Sequence, residues 1–180
     1  MSQVGPDLLE RLKELGLRLI DQREARVLVP ALGNESGFWF GGGNLVQESD
    51  GNILACGRFR NPGDARTGTG AGARGLEFAI FSGSSPDADF AKVLSFSKSD
   101  LSVNEEVVSI EGASLLASER APSGWELFVS TEKRISYPKP LIHFQKPGTG
   151  VWTIDRIHGA DGLNSLSPDG MKTVASSQKG

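Results

Sequence analysis

Two stretches of this chain follow one plan. "GGNLVQESDGNILACGR" at residues 42–58 and "EGASLLASERAPSGWELFVST" at 111–131 share the same succession of features. Each has a Gly, a small polar residue, two aliphatics, a turn ending in Gly, and an apolar strand closed by a polar residue. A partial third copy is "DGLNSLSPDGMKTVASS" at 161–177. The copies lie ~70 and ~50 residues apart, a spacing that fits the blades of a β-propeller, in which small four-stranded sheets ring a central channel.

The intervening chain agrees with this plan. Short β runs occur at 26–30, 43–47, 52–58, 76–81, 90–96, 114–117, 125–130 and 150–155. Asp50-Gly51, Ser82-Gly83, Ser123-Gly124 and Pro147-Gly148 separate them as turn signals. With 23 Gly and nine Pro, the chain is punctuated too often for long helices. The exception is residues 6–24, where Leu8, Leu12, Leu15 and Leu19 recur at helical spacing and Leu9 and Ile20 widen the stripe. Asp7 is placed to cap this helix. Its other face carries Glu10, Arg11, Lys13, Glu14 and Arg18, which predicts a helix packed on the body by one side.

The expected architecture is therefore all-β: a partial five-bladed propeller, about two blades and the start of a third, preceded by one amphipathic helix. Residues 1–24 form the helix and 25–180 the incomplete propeller. Blade one spans about 37–100, blade two about 107–157, and 159–180 opens a third. Closure needs at least four blades. The expectation is then an N-terminal part of a longer protein, whose open sheet edges invite self-association.

Composition narrows the classes of function. The net charge is −3 and charged residues make up 23%, with Arg and Lys scattered among acids, which gives no electrostatic case for nucleic acid. No stretch approaches the ~20 apolar residues of a membrane helix, and no basic segment with an apolar core opens the chain. The single Cys56 lies in an apolar run and has no intramolecular partner, as in a reducing cytoplasm. His143 and His158 have no ligand cluster around them, so a zinc site is not expected; no metal-binding residue and no cofactor is assigned from the sequence.

The pairs "SIEGASLL" with "GWELFVSTEK", and "DGNILACGRFR" with "RGLEFAIFSGSSPDADF", resemble the five-bladed propeller glycosidases and related glycan phosphorylases. The resemblance spans roughly residues 37–157. In that family a Glu-Gly pair opens the inner strand of a blade, and equivalent positions of successive repeats converge on one axial pocket. It implies a glycan or sugar-conjugate substrate, with Glu111 as general acid and Asp161, aligned with it through "DGLNSL", as the partner carboxylate. Paired carboxylates are what glycoside hydrolysis needs, one to protonate the leaving oxygen and one as base or nucleophile. Phosphorolysis is a variant of the same reading.

Where many family members carry a catalytic Asp, this chain has Gly41-Gly42-Gly43-Asn44. That run supports the alternative, a non-catalytic carbohydrate-binding or interaction module; an inactive truncated product is a third possibility. Candidate substrate-binding residues are Asn44, Arg60, Asp64, Arg66, Arg74 and Glu132. The arginines cluster around the Gly-rich loop "GDARTGTGAGARG", where their planar forks suit acidic sugars or phosphate. No Gly-Lys-Ser or Gly-Lys-Thr makes that loop a Walker motif. Trp39, Phe40, Trp125, Tyr137 and Trp152 are candidates for stacking on sugar faces, or for the core.

Overall fold

A computed structural model describes residues 5–23, 25–61 and 74–178. It is mostly β, with one helix and two antiparallel sheets of five and four strands among the described residues. The helix α1 runs Pro6–Leu19. The first sheet contains β1 (Trp39–Gly41), β2 (Leu45–Gln47), β3 (Ile53–Arg60), β4 (Glu77–Gly83) and β5 (Ala91–Ser97). The second contains β6 (Val107–Ala117), β7 (Trp125–Lys133), β8 (Val151–Gly159) and β9 (Lys172–Ser176).

Each sheet is a meander in chain order. β1 and β2 lie end to end along one edge of β3, Trp39 opposite Arg60 and Leu45 opposite Ala55, so together they act as one broken strand. β3, β4 and β5 follow in sequence. The second sheet runs β6-β7-β8-β9. Alternate residues of β3 point to opposite sides of the pleat. Leu54 and Cys56 face the second sheet and join Phe78, Ile80 and Phe96 in a core with Ile110, Leu115, Leu127, Val129 and Ile157. Phe59 belongs to a smaller cluster on the other side, with Val29, Ala79 and Phe81. A strand covered on both faces reads as a continuous apolar run, which is why "ILAC" does not alternate.

Three expectations change. The helix forms, but none of its residues is buried, and Leu8, Leu12, Leu15 and Leu19 are all exposed. Its N-cap is Gly5, with Pro6 in the first turn as a residue that needs no amide partner there, and Asp7 sits inside that turn instead of capping it. Residues 26–30 form no strand and bend at Leu28 and Val29. Most consequentially, residues 161–177 do not begin a third sheet. They make two short 3₁₀ turns, Leu163–Ser165 and Pro168–Gly170, and then β9, which pairs with β8 and completes the second meander.

Candidate functional site

The two sheets meet where β6, the first strand of the second, lies against β3 and its neighbours β2 and β4 in the first, and the glycine run adds to that contact. At Gly42 the backbone adopts φ 72°, which breaks the edge strand between β1 and β2 and turns the Gly42 carbonyl toward β6, where it accepts from Ala113 N at 2.8 Å. A Cβ on Gly43 would lie 2.0 Å from the Cys56 carbonyl oxygen, so no side chain fits there. Asn44 then imitates a strand. Its Nδ2 donates to Leu115 O at 3.0 Å, and its Oδ1 accepts from Leu115 N at 2.9 Å. The Cys56 thiol donates to the same Oδ1, and burial pushes that thiol up from its ordinary pKa.

Glu111 sits further along this junction. Ile110 faces Thr131 and Gly112 faces Ser130, so Glu111 is the extra residue of a β-bulge, a device that re-aims a side chain. Its carboxylate lies 3.5 Å from Arg58 Nη2, both side chains largely buried, while Arg58 Nε donates to the Glu111 carbonyl at 2.6 Å. Arg58 and Arg60 each lie 5.3 Å from the Trp39 ring centre, so both guanidinium groups are within cation–π range of the indole.

Asp161 is elsewhere. Ser123, in the turn joining β6 to β7, donates to Asp161 Oδ1 at 3.0 Å, and the neighbouring Gly162 N donates to Ser123 O. Glu111 lies six residues before the end of β6 at Ala117, or ~20 Å along the strand at about 3.3 Å per residue. The two carboxylates of the sequence alignment are therefore not brought together. The physical reason is the fate of 161–177: it supplies turns and an outer strand, not an inner one.

A different set does converge. Arg74, Glu132, Tyr137, Phe144, Thr149 and Trp152 are among the residues lining a pocket of about 200 Å³ on the outward side of the second sheet. Glu132 is essentially buried; its Oε2 takes Arg74 Nη2 at 2.7 Å and its Oε1 accepts from Gly150 N. Gly150 permits this approach, since a Cβ there would lie 1.8 Å from Lys133 O. Ser109, opposite Glu132 on β6, is also buried, and its hydroxyl has no partner among the described residues. Tyr137 and Trp152 thus stay at the surface, whereas Trp125 belongs to the main core and Phe40 packs on the smaller cluster. Asp64 and Arg66 lie outside the described residues.

One cluster had no signal in the sequence. Asp155, wholly buried, accepts Lys133 Nζ at 2.8 Å and Thr173 Oγ1 at 2.6 Å on one oxygen, and Thr131 Oγ1 at 3.0 Å and Thr153 Oγ1 at 3.2 Å on the other. These residues come from three strands, and only the register of β7, β8 and β9 places them in one row. The saturated carboxylate offsets the cost of burying the ammonium group.

Among the described residues, no helix is long and apolar enough to cross a membrane. Compared with known proteins, the chain matches no family model, no curated protein and no solved structure.

Proposed function

We propose that this chain is a carbohydrate-recognising unit whose two meanders are successive blades of a propeller, and that the Arg74–Glu132 pocket receives a sugar ring. The observation that supports this reading is the meeting of a buried Arg–carboxylate pair with three exposed or half-buried aromatic rings, Tyr137, Phe144 and Trp152, around one small cavity. Aromatic faces pack on the apolar face of a pyranose, while the guanidinium fork and the carboxylate offer donors and acceptors for neighbouring hydroxyls. At about 200 Å³ the pocket is smaller than the ~300–1,000 Å³ of drug-sized sites, so it suits a single ring at the end or side of a chain.

The test is titration with neutral oligosaccharides, followed by the indole N–H resonances in NMR. The Trp152 resonance should move in the wild type. Trp152→Ala, which removes an exposed side chain, should weaken binding at least tenfold without unfolding the protein. A panel that leaves Trp152 unmoved would overturn the proposal.

The bulge at Glu111 supports a second reading, glycoside cleavage with Glu111 as general acid, because it aims a carboxyl into the junction between the sheets beside Arg58. Hydrolysis, or phosphorolysis if turnover needs phosphate, should then fall by about 10²–10⁴ in Glu111→Gln while binding persists. Unchanged cleavage in that variant would remove Glu111 from the mechanism.

A further inference from the structure

The outward face of β8 continues well beyond the Trp152 pocket. Along β8 the residues turned away from the core are Trp152, Ile154, Arg156 and His158, of which Trp152 and Ile154 are 50% and 41% exposed. Arg156 lies four residues from Trp152, or ~13 Å at strand rise. There a second cavity of about 340 Å³ opens, lined by Arg156, His158, Gly170 and Lys172. Three of these four are basic. Lys172 enters from β9, directly opposite Arg156 in the register.

Glu126, opposite His158 on β7, organises this pocket without neutralising it. It accepts Arg156 Nε at 2.6 Å and Nη2 at 2.7 Å, and it contacts His158 Nδ1 at 3.0 Å. Those contacts fix the guanidinium plane and the imidazole ring. The guanidinium keeps its Nη1 hydrogens, the imidazole its second nitrogen, and Lys172 has no ion pair among the described residues. A net positive charge therefore remains in a concave site, with the guanidinium and the imidazole held in place by Glu126. The preceding stretch of the same face, Trp152 and Ile154, is apolar.

We infer that this face is a track for an acidic oligosaccharide, with one ring against Trp152 and a carboxylate or sulfate of the same chain in the pocket at Arg156, His158 and Lys172. The inference rests on the sugar-binding reading of the Trp152 pocket and narrows its ligand to an anionic glycan. A polymer that alternates apolar ring faces with fixed negative groups matches the alternation of the surface. An apolar protein face laid over the same track would bury Lys172 unpaired, at a cost such a contact does not recover.

The experiment titrates the 180-residue chain by calorimetry and NMR with three probes at low and high salt: carboxylated oligogalacturonides, sulfated heparin fragments and uncharged xylo-oligosaccharides. The acidic probes should bind at least tenfold more tightly than the neutral one at low salt, and the advantage should shrink as salt screens it. Lys172→Ala and His158→Ala, both at exposed positions, should each weaken acidic binding about fivefold and leave neutral binding alone. Trp152→Ala should weaken both. Whichever acidic probe binds more tightly identifies the anionic group. Equal affinity for neutral and acidic probes, with Trp152 still required, would overturn the acidic track and spare the sugar pocket. Acidic binding that ignores both Lys172→Ala and His158→Ala would also overturn it, and binding by none of the probes would remove both readings.

Discussion

Asn44 holds Leu115 with the two hydrogen bonds that a neighbouring strand would otherwise supply, and Leu115 is fully buried. Asn44→Ala should therefore leave a buried N–H and C=O without partners, at about 1–3 kcal/mol for each unsatisfied group. A urea titration should show the loss as a lower midpoint with the same slope. A shift under about 0.5 kcal/mol would mean that water or a rearranged backbone replaces the amide. The same residue shows what a sequence conceals. The glycine run beside it was readable as a departure from the glycosidase pattern, and Asn44 as a polar residue at the place of interest. That a carboxamide would pair with a strand 71 positions away depends on a φ of 72° at Gly42, which no local pattern announces. Arg74 and Glu132, by contrast, were both named from the sequence as substrate-binding candidates, and the fold places them 2.7 Å apart in one pocket.

Among the elements, β3, β4, β5, β7 and β8 were legible from apolar runs bounded by Gly turns, because turn chemistry and β propensity act over a few residues. The pairing of β9 with β8 was not legible, since strand pairing across an irregular connection depends on the packed whole. β8 also inverts the usual rule: Thr153 and Asp155 point inward while Trp152 and Ile154 point outward. Its register with Lys133 and Thr173 explains the inward half. On the outward half, the hydrogen bonds and charge of Arg156, with a further bond from His158, hold the Glu126 carboxyl at about 2, well below its ordinary value of 4.5. The folded form therefore gains stability from ionised Glu126 above the unfolded value near 4.5, and loses it as the pH falls toward 2. Carbon-detected NMR of the Glu126 carboxyl should show that low midpoint, and Glu126→Gln should flatten the acid limb of stability between these limits. A midpoint near 4.5 would mean that the Arg156 pair is not formed in solution.

At the scale of the molecule, α1 stands apart from the body it precedes. A 14-residue helix is marginal in water without tertiary support, and this one buries nothing. Removal of residues 1–20 should change the urea unfolding free energy of the sheets by less than about 0.5 kcal/mol. A loss above 1 kcal/mol would show that its leucine stripe is covered in solution by the body or by another copy. Helical periodicity made α1 the easiest element to foresee, but periodicity identifies an apolar face without saying what meets it.

β6 is bonded to β7 along one side, while Gly42, Asn44 and Gly75 hold its other side. Within each meander the pairings join chain neighbours and close cheaply. The clasp around β6 is long-range and spans both halves. Either meander can therefore begin to form early and by itself, but neither can come apart alone without stranding the buried amides of this shared strand. In hydrogen-exchange measurements the amide protons of Ile110, Ala113 and Leu115 should be among the last to exchange, reporting the opening of the whole molecule instead of one sheet.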